Sequence, residues 1–221
     1  MLMLPVSLFL VSVCKGVQSM CVICISEKGI NQPTKKLMKQ MWDRNPHGAG
    51  YMFARSKYVY IRKGFMTFDE FYKAVKAENF TANDVVVYHF RISTQGGVNP
   101  EMTHPFILTD NIKDTKILRA RVNVGVAHNG IISLTSNGDK EYSDTAYFIT
   151  DYLSRMIKKP SDLRDFDLQQ EIYDLIYSKM VILDYAGNIT KIGDFTRDVT
   201  GLWFSNTYFM PYKYDSWYDV A

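Results

Sequence analysis

Met20-Cys21-Val22-Ile23-Cys24-Ile25-Ser26 is the stretch on which the reading of this chain turns. A short, continuous apolar run of this kind reads as a buried strand. A translation start at Met20, with the methionine removed, would leave Cys21 carrying both a thiol and a free α-amine. Such an amine titrates near ~8, so a useful fraction is neutral at pH 7 and can take the thiol proton. Taken alone, the pair reads first as a buried structural cysteine opening a core strand, because free cysteine is among the most buried residue types. The case for chemistry rests on segments further along the chain.

The 221 residues fit one large domain, and an apolar content of 47% is ample for its core. The net charge is +3, and no Lys/Arg block stands out. A phosphate-contacting surface is therefore not indicated, and nucleic acid is not an expected partner. Three cysteines give no disulfide framework and suit a reducing cytoplasm. Residues 1–20 differ from the rest: Leu2 to Val13 is almost wholly apolar. A signal-like segment, a propeptide and an over-extended start are the three readings. The start at Met20 is favoured, because no Lys or Arg precedes the apolar core and Val17 fits a cleavage site poorly. The apolar run is short for a membrane span, so the domain at 21–221 is expected to act without a membrane.

Beyond Ser26 the pattern alternates between helix and hairpin. Thr34 to Trp42 has Leu37, Met38, Met41 and Trp42 on one face and lysines on the other, which predicts an amphipathic helix. Gly50 to Arg55 and Tyr58 to Lys63 read as a hairpin. Thr67 and Glu70 form a capping box for a helix to Val75. Asp84 to Ile92 reads as a strand ending in Arg91. Arg121 to His128 and Ile131 to Leu134 read as strands about Asn129-Gly130. Asp144 to Ile157 reads as a helix, and Asp167 with Gln170 as the capping box of another. Met180 to Leu183 and Ile189 to Ile192 read as a hairpin, and Leu202 to Phe204 as a last short strand. Hairpins interspersed with helices predict an α+β architecture with largely antiparallel sheet. The aromatic C-terminus (Trp203, Phe204, Tyr208, Phe209, Tyr212, Tyr214, Trp217, Tyr218) reads as core packing of the last strand and a draped tail.

Four short segments carry the chemistry together, although each has a plain alternative. Arg91 can be a strand-end arginine snorkelling to solvent, or a planar fork gripping a carboxylate through two parallel hydrogen bonds. Asn129-Gly130 can be a type I′ turn, or two N–H donors aimed at a developing oxyanion, each typically worth about 3 kcal/mol. Asp144, after the N-cap candidate Ser143, can simply complement the helix dipole, or receive an ammonium. The functional readings fit one another. Arg91 takes an α-carboxylate, Asp144 an α-ammonium, and Cys21 with Asn129 and Gly130 processes a side-chain carbonyl. The implied substrate is an α-amino acid with a side-chain amide. Cys21 and Cys24 lie three apart in a strand and point to opposite faces, and His89, His104 and His128 lack a helical spacing, so no metal is expected.

These segments resemble a class II glutamine amidotransferase domain of the N-terminal-nucleophile hydrolase type. Cys21-Val22-Ile23 resembles that family's nucleophile strand, and Arg44-Asn45-Pro46-His47-Gly48-Ala49-Gly50 its Arg-Gly-x-Asp-x-Ala-Gly loop. His89-Phe90-Arg91-Ile92-Ser93-Thr94 resembles His-x-Arg-Trp-x-Thr. His104-Pro105 resembles the following His-Pro, His128-Asn129-Gly130 the oxyanion segment, and Ser143-Asp144-Thr145 the amine-binding Ser-Asp-Thr. The match runs from Cys21 to about Ile157.

The resemblance implies a four-layer αββα sandwich with two largely antiparallel sheets and no cofactor. It implies hydrolysis of glutamine through a thioester on Cys21, yielding glutamate and ammonia. Asn129 and Gly130 would form the oxyanion hole, Arg91, Thr94 and Asp144 would hold glutamine, and Arg44 would be a support residue. No synthetase domain is fused to this domain in the sequence, which leaves three expectations open: a separate synthetase or acceptor protein receives the ammonia, an acceptor binds at the C-terminal side, or the enzyme acts on another amide. Ile92 stands where the family has Trp, His47 where it has an acidic residue, and Gln95-Gly96-Gly97 where it has His-Gly. Two other functions stay open: an amidohydrolase acting on a γ-glutamyl or other small amide, and a non-catalytic glutamine-binding or regulatory module in which Cys21 stays blocked.

Overall fold

Alternation along Val22-Ile23-Cys24-Ile25 divides the first strand between two apolar cores, and the rest of the fold follows from that division. The computed structural model describes residues 20–93, 97–135 and 141–210. Strand β1 (Val22–Ser26) is followed by α1 (Lys35–Arg44), the hairpin β2 (Ala49–Arg55) and β3 (Tyr58–Phe65), α2 (Phe68–Ala77) and β4 (Val86–Phe90). Then come β5 (Phe106–Ile107), β6 (Arg119–Val122), β7 (Val124–Asn129), α3 (Asp144–Phe148), α4 (Ser154–Met156) and α5 (Phe166–Ile176). The chain closes with β8 (Lys179–Asp184), β9 (Ile189–Ile192), β10 (Thr196–Arg197) and β11 (Trp203–Phe204).

The strands form two antiparallel sheets. The first runs β10-β11-β1-β4-β2-β3-β6 and the second β5-β7-β8-β9. Val22, Cys24, Tyr51, Phe53, Tyr88 and Phe90 face α1 and α2, meeting Met41, Trp42, Phe71 and Val75. Ile23, Ile25, Met52, Ile61 and Val87 point the other way and meet Ala127, Val181 and Leu183 of the second sheet. The outer face of that sheet, through Val126, Met180 and Ile182, packs on Phe148, Leu153, Ile172 and Ile176. The α+β class with largely antiparallel sheet is thus as the sequence predicts, and the packing order of helix, sheet, sheet and helix is compatible with a sandwich. Strand β6 is an outer strand of the first sheet, with Arg119 and Arg121 exposed in alternate positions.

Local signals hold at several ends. Thr34 caps α1 by accepting the Leu37 N–H, and Thr67 caps α2 by accepting that of Glu70. The helical segment begun by α3 passes through a π-helical turn at Ile149–Leu153 before α4. Hydroxyls of Thr150 and Ser154 donate to the carbonyls of Ala146 and Thr150 there, competing with the regular ladder.

Three expectations need correction. The single strand expected from Arg121 to His128 is two strands, β6 and β7, which break at Asn123 and enter different sheets. The hairpin expected about Asn129-Gly130 does not form: β7 pairs with β5 and β8, and Ile131–Leu134 holds no strand. Tertiary pairing of Asn129 with Lys179 overrides the local turn signal. Helix α5 is capped by Asp165, whose side chain accepts the Asp167 and Leu168 N–H groups, rather than by Asp167. At the C-terminus, Phe204 and Phe209 pack at 5.3 Å between ring centres, while Tyr208 is exposed. Tyr212, Tyr214, Trp217 and Tyr218 lie outside the described residues, as does the segment 1–19. Among the described residues no helix is long and apolar enough to cross a membrane.

Candidate active site

Cys21 stands immediately before β1, beside Ile92 and Asn206 and within electrostatic reach of Arg91 and Asp144. The Ile92 N–H donates to Cys21 Sγ at 3.4 Å, and the thiol lies 3.4 Å from Ile92 O as a donor. Burial pushes the Cys21 thiol up to about 11, against the opposing pull of the Ile92 hydrogen bond and the Arg91 charge. The Asp144 carboxylate adds to the rise. Arg91 and Asp144 therefore both act electrostatically on the sulfur. Cys24 is buried in the helix-facing core, away from Cys21, as the strand period requires.

Arg91 lies just past the end of β4 and is buried. Its backbone extends the sheet onto the Asn45–Gly50 loop: the Arg91 N–H donates to Gly48 O at 2.8 Å, and Arg91 O accepts the His47 N–H at 3.0 Å. Its guanidinium donates to Gly97 O at 2.7 Å and Ser93 Oγ at 3.1 Å. His47, where the resembled loop is acidic, accepts the Ser93 N–H on Nδ1 at 2.9 Å. An imidazole acceptor thus fixes the chain just beyond Arg91. Arg44 is exposed at the last position of α1, whereas the neighbouring Asn45 is buried and donates to Met41 O. Thr94 lies outside the described residues.

Asn129 ends β7 and is buried; Gly130 follows at φ +152°, with Ser178 packed where a Cβ would sit. Asp144 opens α3, with Ser143 as the cap that accepts the Ala146 N–H. The Asp144 carboxylate accepts backbone N–H groups from Ile132 and Thr145, both at 2.7 Å. Two such bonds hold a buried carboxylate in place and soften the cost of its burial.

Three histidines gather beneath these residues. His89 and His104 rings lie 4.3 Å apart, and His104 and His128 rings 6.5 Å apart. Gly50 on β2 permits this, because a Cβ there would lie 2.2 Å from His104 O. Burial lowers all three, His89 to about 3 and His128 to about 4, so they are neutral at pH 7. Among the described residues no group of His, Cys, Asp and Glu is arranged to hold a metal.

The sequence reading missed Ser205 and Asn206, directly after β11. Ser205 Oγ accepts the Ile23 N–H at 2.9 Å and Asn129 Nδ2 at 2.8 Å, and Asn206 Nδ2 donates to Cys21 O at 2.7 Å. Their only sequence signal is a polar pair directly after the short apolar strand Leu202 to Phe204. Compared with known proteins, the chain matches no protein-family model and no curated protein.

Proposed function

We propose that this chain is a glutaminase of the class II glutamine amidotransferase type, with the four-layer N-terminal-nucleophile fold, active once Cys21 is the first residue. The observation that carries the reading is convergence. Cys21, Arg91, Asn129 and Asp144 come from four distant segments. The hydrogen bond from Ile92 to the Cys21 sulfur and the charges of Arg91 and Asp144 upon it support the grouping of those two residues around the thiol, and Asn129 is joined to the Cys21 strand through Ser205, which also bonds Ile23. A cation and an anion flanking a thiol match the α-carboxylate, α-ammonium and side-chain amide of glutamine.

In this scheme Arg91 and Asp144 bind the two ends of the amino acid and bring its amide carbon to Cys21 Sγ. The freed α-amine of Cys21 takes the thiol proton as sulfur attacks, and Asn129 Nδ2 with the Gly130 N–H receives the negative oxygen. The amine returns the proton to the leaving nitrogen, and ammonia departs. Water, deprotonated by the same amine, then opens the thioester to glutamate and restores the thiol. With Met20 attached the nitrogen is an amide and cannot act as base, and a thiol held near 11 stays protonated. Ammonia would pass to a separate synthetase or acceptor protein in the cytoplasm.

Glutamate release from glutamine by protein beginning at Cys21, beside its Cys21→Ala variant, tests this. Release that depends on Cys21 is expected. Equal release by both proteins, or none from either, would sink the glutaminase reading.

A further inference from the structure

Beyond β11 lies a pair of buried polar residues that the glutaminase scheme does not use. Ser205 is 1% exposed and Asn129 2%. Besides accepting from Ile23 N and Asn129 Nδ2, Ser205 donates its own N–H to Ile23 O at 3.0 Å, and its carbonyl accepts Lys179 Nζ at 2.6 Å. Asn206 then holds the carbonyl of Cys21. Two consecutive residues therefore tie the nucleophile strand β1, in the first sheet, to β7 and β8 in the second.

We infer that Ser205 is a positioning residue that sets the orientation of the Asn129 side-chain amide relative to Cys21; its effect on turnover rests on the glutaminase reading. An asparagine amide turns about its last side-chain bond with a broad, weak preference. It serves as a preorganised donor only if something holds it. Among the described residues the Asn129 oxygen, Oδ1, is buried without a partner, so the Nδ2 bond to Ser205 is what fixes the group. The hydroxyl uses one lone pair for the Ile23 N–H and the other for Nδ2. The Ile23 bond keeps this shared acceptor in register with β1. The second N–H of Nδ2 lies in the amide plane, so fixing the first fixes its direction. Ser205 itself is braced on its backbone from both sheets, by Ile23 and Lys179.

The test begins with side-chain amide exchange in the full chain, read by nuclear magnetic resonance and assigned with Asn129→Ala. The Asn129 Nδ2 protons are expected to be protected, and Ser205→Ala to remove that protection while the β4 and β8 backbone amides keep theirs. An Asn129 amide that exchanges like an exposed one in the wild type overturns the inference, and that arm stands even where Ser205→Ala does not fold. Protection unchanged in a folded Ser205→Ala also overturns it. In the form that turns glutamine over, Ser205→Ala is expected to lower kcat about 10- to 100-fold with KM within about twofold. Ser205→Thr, which keeps the hydroxyl, should recover most of that loss. The double variant with Asn129→Ala should be no slower than Asn129→Ala alone, because Ser205 acts through Asn129. Fully additive losses overturn the inference. Absence of turnover in every form sinks the glutaminase reading, while amide exchange still decides the positioning role.

Discussion

His89 Nε2 donates to the carbonyl oxygen of His128 at 3.0 Å, a side-chain bond from β4 of the first sheet to β7 of the second. A carbonyl can only accept, so the proton sits on Nε2 and Nδ1 faces the interior as a bare acceptor. His128 has its own two partners, Thr145 Oγ1 at 2.9 Å and Ser178 Oγ at 2.7 Å. The junction between the sheets is thus built from buried imidazoles, which burial keeps neutral at pH 7.

Stability should fall as the solution turns acid. In the unfolded chain the three histidines take protons below about pH 6.5. Folded, His128 waits until about 4 and His89 until about 3, and His104 is also lowered. Their folded values lie below the unfolded one, so unfolding takes up protons and stability rises with pH across this window. His128 alone corresponds to roughly 3 kcal/mol between pH 6.5 and 4. Urea midpoints are expected to drop steadily from pH 7 to 5, with about three protons taken up on unfolding near pH 5. A flat midpoint over that range would contradict the neutral junction.

The Cys21 thiol of the full chain should be sluggish toward alkylation. A rise from 9.0 to about 11 cuts the thiolate fraction at pH 7 by roughly a hundredfold. Iodoacetamide labelling, mapped by fragmentation of the peptide carrying Cys21 and Cys24, should be slow at Cys21 at pH 7 and accelerate as pH approaches about 11. Labelling at the speed of a small free thiol would show that burial does not hold the proton.

Arg91→Lys should weaken glutamine binding more than it slows the chemical step. Lysine keeps the charge but loses the fork that spans Gly97 O and Ser93 Oγ and would grip a carboxylate. The loss of one charge-assisted bond, about 2 kcal/mol, predicts a KM rise of roughly 30-fold. Saturation kinetics would check it; an unchanged KM would remove Arg91 from substrate binding.

Gly130→Ala should destabilise the fold itself. The position has φ +152°, and an added Cβ would lie 2.4 Å from Ser178 Cβ, whose hydroxyl partners His128. Strain and overpacking together suggest a cost of about 3 kcal/mol, visible as a lowered thermal midpoint. A midpoint equal to the wild type would mean that this turn has room to relax.

The parts of the fold legible in the sequence are those set by local pattern. The continuous apolar run marked β1 as a buried strand, periodicity marked α1, and periodicity with the Thr67 cap marked α2. What escaped depends on contacts across the chain. The break at Asn123 sends β7 to another sheet, and no local breaker residue such as proline marks it. Asn129-Gly130 carries the strongest turn signal in the sequence, yet Asn129 is claimed by Lys179 in the β8 ladder and by Ser205, 76 residues on. For the site, residue chemistry singled out Cys21, Arg91, Asn129 and Asp144. Ser205 and Asn206 escaped because a serine and an asparagine after a short strand look like any loop.

The guanidiniums of Arg119 and Arg121 on β6 bear on how the molecule behaves in crowded solution. An outer strand offers unpaired backbone groups to any other strand of the same kind. Here a second copy approaching edge to edge would bring two like-charged pairs together and would have to strip their hydration. Strand β10, at the opposite margin, is two residues long and offers almost nothing to pair with. Among the described residues the first sheet thus ends on one side in a charged strand and on the other in a very short one, and both discourage edge-to-edge pairing between copies.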